Sequence, residues 1–330
     1  MPEIARRAFV TLLGGAATMP VAAFAQKSDG TKRVGVIMGF AENDEVWQTY
    51  LATFRRALQD LGWTEGKNIR FDYRFTGESE ERMYGMAHEI EALAPDVILA
   101  STNSVVSATL NATRSIPIVF TWVSDPVGSG FVTNLPRPGG KITGFHNFEP
   151  AIGGKWLGYL SQIAPGLRRI AVVHVPEIAP NVAFLRVIEA AAPQMGISVT
   201  AAEIRNAADI ERVLSAFGPQ GGGLIVAPSA LTATRRDLII SLAAGFALPA
   251  IYSFGFYAES GGLISYGINQ LEQARPAASY VDHILQGTSP GDLPVQLPLK
   301  YELVINLKTA AALGLTIPNS LQLLADQVIE

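Results

Sequence analysis

The sequence predicts an α/β protein built as two lobes, each a doubly wound parallel sheet with helices on both faces. Three observations carry this. Short unbroken apolar runs alternate with amphipathic stretches, the alternation restarts at Arg168, and Pro136, Pro138, Gly139 and Gly140 punctuate the chain between the two sets. An apolar run without polar alternation belongs to a strand buried on both faces, which helices above and below a parallel sheet provide. Each set has the length of an ordinary domain.

In the first set, Arg33–Phe40 (RVGVIMGF) reads as a buried strand. Val46, Trp47, Tyr50, Leu51, Phe54, Leu58 and Leu61 then share one helical stripe, stopped by Gly62. A strand over Ile69–Phe75, a helix over Glu78–Leu93, the strand DVILAS, a helix from Asn103 and the strand IPIVFTWV complete it. In the second set RRIAVVHV, SVTAAEI, GGLIVAP, LPAIYSF and GGLISYG read as strands. Asn181–Ala192, Ala207–Phe217 and a stretch through Ala243 are the helices among them. Open parallel sheets take ligands outside the carboxyl ends of their strands, so a site is expected at those edges.

The chain has 330 residues, 48% hydrophobic and 16% charged, with a net charge of −4. That supports real cores and offers no basic face for nucleic acid. Cysteine is absent, which excludes disulfides, thiolate metal sites and a cysteine nucleophile. At the N-terminus, Arg6 and Arg7 precede an apolar stretch and then Ala23-Phe24-Ala25 before Gln26. This is the order of an export signal over residues 1–25, cleaved after Ala25. The paired arginines resemble the twin-arginine version, with general secretion as the alternative. Gly14, Gly15 and Pro20 argue against a spanning helix, and no later stretch has the length of one. A soluble periplasmic protein is expected.

Catalytic motifs are missing. GLISYG has the wrong spacing around Ser265 for a nucleophile elbow, GSGFVT carries only two glycines of a dinucleotide fingerprint, and no lysine-bearing phosphate loop occurs. His88, His146, His174 and His283 show no metal-ligand spacing, and Asp44-Glu45 and Glu80-Glu81 sit where acids favour a helix start. No catalytic residue, cofactor or metal is expected. What remains suits a small molecule. Ser101, Thr102, Asn103 and Ser104 stand where a strand turns into a helix, a place for a carboxylate or only for a helix cap. Asp125 could pair with an amine or simply start the SDPVG turn. Phe40, Trp122, Tyr252, Phe254 and Tyr257 all flank strand ends, where they could sandwich a ring-bearing ligand or pack in the cores.

These segments resemble the substrate-binding component of bacterial ABC transporters, in the group that includes tryptophan- and tyrosine-type binding proteins. The resemblance lies in DLGWTEGKNIRFDYRF (Asp60–Phe75), APDVILASTNS (Ala94–Ser104), IPIVFTWVSDPVGSGFVTNLPRPGGKITG (Ile116–Gly144), ESGGLISYG (Glu259–Gly267) and the closing stretch from Leu293. It implies a periplasmic-binding fold of type I, two α/β lobes joined by three crossings and closing on a ligand. Lobe 1 would hold residues 27–146 and 254–286, and lobe 2 residues 147–253 and 287–330. Ligand contacts would fall on Ser101–Ser104, Asp125, Ser229 and Ala230. Many relatives carry a lipidated cysteine that this chain lacks. The implied partners are a carboxylate-bearing, amino-acid-like or aromatic solute and an ABC permease with its ATPase, met by a monomer. A sensor of the same fold signalling to a membrane receptor, or an exported hydrolase, are the rival readings. A cytoplasmic sugar-type repressor shares the fold but lacks an export signal.

Overall fold

The computed structural model describes residues 30–77 and 80–330, so the export signal lies outside the described residues. The first lobe is a five-stranded sheet of β1 (Lys32–Met38), β2 (Ile69–Phe75), β3 (Val97–Ser101), β4 (Ile118–Val123) and β5 (Ile142–His146). Its order is β2-β1-β3-β4-β5 and every pairing is parallel. Helices α1 (Glu45–Asp60), α2 (Glu80–Ala92) and α3 (Asn103–Ala112) connect successive strands. Asp44 begins α1 by accepting from Val46 N, and Trp47, Tyr50, Leu51, Phe54 and Leu58 bury the stripe anticipated from their spacing.

After α4 (Ile152–Ile163) the second lobe repeats the plan with β6 (Arg169–His174), α5 (Ala179–Ala191), β7 (Ser198–Glu203), α6 (Ala207–Phe217) and β8 (Gly223–Val226). It continues through α7 (Ala230–Thr234), α8 (Arg236–Gly245), β9 (Ala250–Tyr252), α9 (Gly255–Glu259) and β10 (Ile264–Gly267). The order β7-β6-β8-β9-β10 matches the winding of the first sheet. Two further strands extend it, β11 (Glu302–Asn306), antiparallel to β10, and β12 (Gln327–Ile329). The helix α10 (Ala274–Leu285) returns to the first lobe and packs on α1. Short α11 (Leu307–Ala312) and α12 (Asn319–Leu324) close the chain.

The chain passes between lobes three times: after β5 at Asn147, before α10 at Ile268-Asn269, and from Leu297 to Tyr301 before β11. The lobe boundaries differ from the sequence expectation. The sequence places residues 254–267 in lobe 1, yet β10 pairs with β9 and β11, and α9 packs on β11. It places residues 287–296 in lobe 2, yet Val295 lies in the first lobe's core and Gln296 bridges Phe145. The physical reason is pairing: the apolar run LISYG completes a sheet only beside β9, a partner that residue order alone does not reveal.

Candidate functional site

In both sheets the first and third strands of the winding are neighbours whose connections leave in opposite directions, and a crevice opens beyond their carboxyl ends. In lobe 1 that edge carries Phe40 after β1 and Ser101–Ser104 after β3. In lobe 2 it carries Val175–Ile178 after β6 and Pro228–Ala230 after β8. The two edges face each other. Between them lie an outer chamber of about 330 Å³ and an inner one of about 20 Å³, with Asn103, Ile178, Ser229 and Ala230 lining both. The inner chamber has room for roughly one water-sized atom.

The four residues at the strand-to-helix edge divide their work. Ser101 is fully buried and accepts from Gly39 N at 3.0 Å, tying the ends of β1 and β3 together. Thr102 caps α3 from a left-handed φ of +76°, and a Cβ on Gly39 would stand 2.8 Å from its hydroxyl. Asn103 donates to Ser124 O at 2.7 Å and Ser129 Oγ at 3.0 Å, and accepts from Ser124 N at 2.9 Å. Ser104 lines the outer chamber, together with Ser107 one turn on and Ser129.

Asp125 lines neither chamber. Its carboxylate accepts from Gly128 N at 2.9 Å, and a side chain at 128 would collide with it. The structure gives it the turn role. Thr102, Trp122 (φ +60°) and Asp125 (φ +41°) all hold left-handed backbone, a conformation costing roughly 1–3 kcal/mol each that persists where the surroundings impose it.

The five aromatics split into two groups. Phe40, Trp122 and Phe254 line the inner chamber, with ring centroids 5.6 Å apart for Phe40–Trp122 and 5.4 Å for Trp122–Phe254. Trp122 N donates to Gln273 Oε1 at 3.1 Å, and Gln273 Nε2 donates to Asn147 Oδ1 at 2.9 Å in the first crossing. Tyr252 and Tyr257 stack on each other at 4.8 Å inside the second lobe, their phenol pKa values pushed up by burial, and line neither chamber. Ser229 caps α7 through a reciprocal pair with Thr232 and lines both chambers with Ala230.

Sequence reading missed Tyr84, Ser107, Glu177, Ile178 and Arg205. All five line the outer chamber. Glu177 follows β6 and Arg205 follows β7, so the carboxyl-edge rule applied to these two strands would have found them. Arg205 Nε donates to Glu177 Oε1 at 2.6 Å and Nη2 to Glu203 Oε2 at 3.4 Å. Arg236 of α8, which donates to the carbonyl of Ala233 on the inner chamber's lining, reaches Asp44, the cap of α1, across the lobes, Nη1 to Oδ2 at 2.6 Å, with side chains 19% and 10% exposed. No cluster of three or more metal-ligating side chains occurs among the described residues.

Two helix-flanked sheets enclosing a chamber at their facing edges, linked by three crossings, define a two-lobed protein of the type I periplasmic-binding fold. The chain belongs to the ABC transporter substrate-binding protein family, whose model matches residues 34–329. It is 26% identical over 262 residues to a tyrosine-binding protein of Clostridioides difficile (strain R20291), covering 79% of this chain and 75% of that one. Among solved structures, a conserved domain protein of Vibrio cholerae O1 biovar El Tor is similar at TM-score 0.84 and 28% identity. That match covers 90% of this chain and 99% of that one. An ABC domain in complex with L-Trp from Streptococcus pneumoniae is similar at TM-score 0.83 and 21% identity, over 91% and 100% of the respective chains. No helix among the described residues is long and apolar enough to cross a membrane.

Proposed function

We propose that this protein is the extracytoplasmic receptor of an ABC importer, capturing an amino-acid-like solute with an aromatic side chain between its closing lobes. The observation that carries the reading is the outer chamber, walled by both lobes at the carboxyl edges of both sheets. A solute held there touches both walls only when the lobes are together, so it favours the closed state by its differential affinity. Ser104, Ser107 and Ser229 supply hydroxyls to the solute's polar end, while Phe40, Trp122 and Phe254 form the apolar end of the cleft. The tyrosine-binding relative and the tryptophan-bound neighbour support the choice of solute class. In this reading the signal is cleaved after Ala25, the mature chain works as a free monomer in the periplasm, and a permease with its ATPase recognises the closed form.

Titration calorimetry of the mature chain against amino acids and aromatic acids, paired with small-angle scattering, tests this. Saturable binding with a smaller radius of gyration is expected. Absence of binding across the panel overturns it.

A further inference from the structure

We propose that Glu177 and Arg205 form a zwitterion reader, so that the cleft selects solutes carrying an ammonium and a carboxylate together. The inference rests on the amino-acid reading above and names the groups that enforce it. Among the described residues lining the outer chamber, these are the two formal charges. Both stand on the second lobe's wall, while the first lobe offers hydroxyls, an amide and the Tyr84 phenol. The chamber thus presents one anion and one cation, held together at 2.6 Å.

Arg205 is well placed for exchange. Its backbone N donates to Asp209 Oδ2 at 2.9 Å, which fixes the start of the side chain. Its guanidinium has five N–H donors, and Glu177 and Glu203 engage it through Nε and Nη2. Donors are left over for a carboxylate. A bare carboxylic acid that docks on Arg205 competes with Glu177 and leaves that carboxylate without its partner. A bare amine on Glu177 leaves Arg205 to Glu203 alone, at 3.4 Å. A zwitterion replaces one ion pair with two and strands neither charge. Because both side chains are about half exposed, discrimination arises chiefly from the second ion pair that only the zwitterion gains.

The test uses six probes on the mature chain: L-tyrosine and L-tryptophan, their amides as cations, and the corresponding deaminated acids as anions. Titration calorimetry on the wild type is expected to rank each amino acid about tenfold or more above both of its analogues, the scale of a charge-assisted hydrogen bond. Glu177→Gln is expected to erase the advantage over the deaminated acid, and Arg205→Gln the advantage over the amide. This reciprocal pattern is one that a merely structural role would not produce. Both side chains are about half exposed, 52% and 51%, so the variants fold, and unchanged melting temperatures check it. If the amino acids bind but the ranking is flat, or survives both substitutions, the zwitterion reader is wrong and solute capture stands. If none of the six binds while other amino acids do, the aromatic preference falls, and the same comparison with the amide and deaminated acid of the amino acid that binds decides the reader. If no amino acid binds at all, solute capture falls with them.

Discussion

The inner and outer halves of the cleft are built by the same two sheets but finished in opposite ways. At the inner end Phe40, Trp122 and Phe254 close over the gap, Arg236 crosses to Asp44, and space for about one water-sized atom is left. At the outer end serines, Glu177 and Arg205 face about 330 Å³. The inner contacts join the lobes directly, Phe254 against Trp122 and Arg236 against Asp44, while the outer groups leave open space between the two walls.

The sharpest way to break this comparison is Phe254→Ala. Phe254 is 3% exposed, and its truncation is expected to cost about 3–5 kcal/mol, as in a protein core. An unchanged urea midpoint would show that the inner half is not packed as a core. Next comes Arg236→Ala, which leaves Asp44 largely buried and unpaired. It is expected to destabilise the closed form by about 1–3 kcal/mol, less than for a fully buried pair. Scattering without solute would register a larger radius, and solute affinity would drop. Asp44→Asn keeps a capping side chain on α1 while removing the charge, so it separates the two jobs of that residue.

Smaller effects separate neighbouring serines. Ser101→Ala is expected to cost about 0.5–1.5 kcal/mol of stability, through the lost bond from Gly39, with solute affinity intact. Ser104→Ala is expected to do the reverse, weakening binding by a similar amount while the melting temperature holds. Identical responses from both would erase the distinction between frame and wall. The mildest effect is on pH. Burial holds the His174 imidazole below its usual 6.5, and His146 likewise. The unfolded chain therefore takes up protons near pH 6.5 that the fold resists, so stability declines as pH falls below that value. His174→Gln is expected to flatten the decline in melting temperature between pH 7 and 5.

The two-sheet plan was legible because buried parallel strands leave unbroken apolar runs, and β2 and α6 appear with the expected limits. The segments that knit the lobes together were not. The strand β5 (Ile142–His146) is short and contains a glycine, and α10 is recognised by packing on α1, which no local pattern announces. At the candidate site, hydroxyls beside a strand end pointed to an edge that borders the chambers. Sequence could not say that Ser101 is buried against Gly39, that Asn103 lines both chambers with its amide bonded to Ser124 and Ser129, and that Ser104 faces only the outer one, because that depends on which way each turn winds. Tyr252 and Tyr257 lie near a strand end in sequence, yet the short β9 and α9 turn them into the second lobe's interior.

Gln273 brings the cleft's floor and the protein's pivot under one amide, its oxygen on the Trp122 backbone and its nitrogen on Asn147. A swing of the lobes must either carry Trp122 with it or break that link. One side chain thus ties a wall of the inner chamber to the first stretch of chain that joins the lobes.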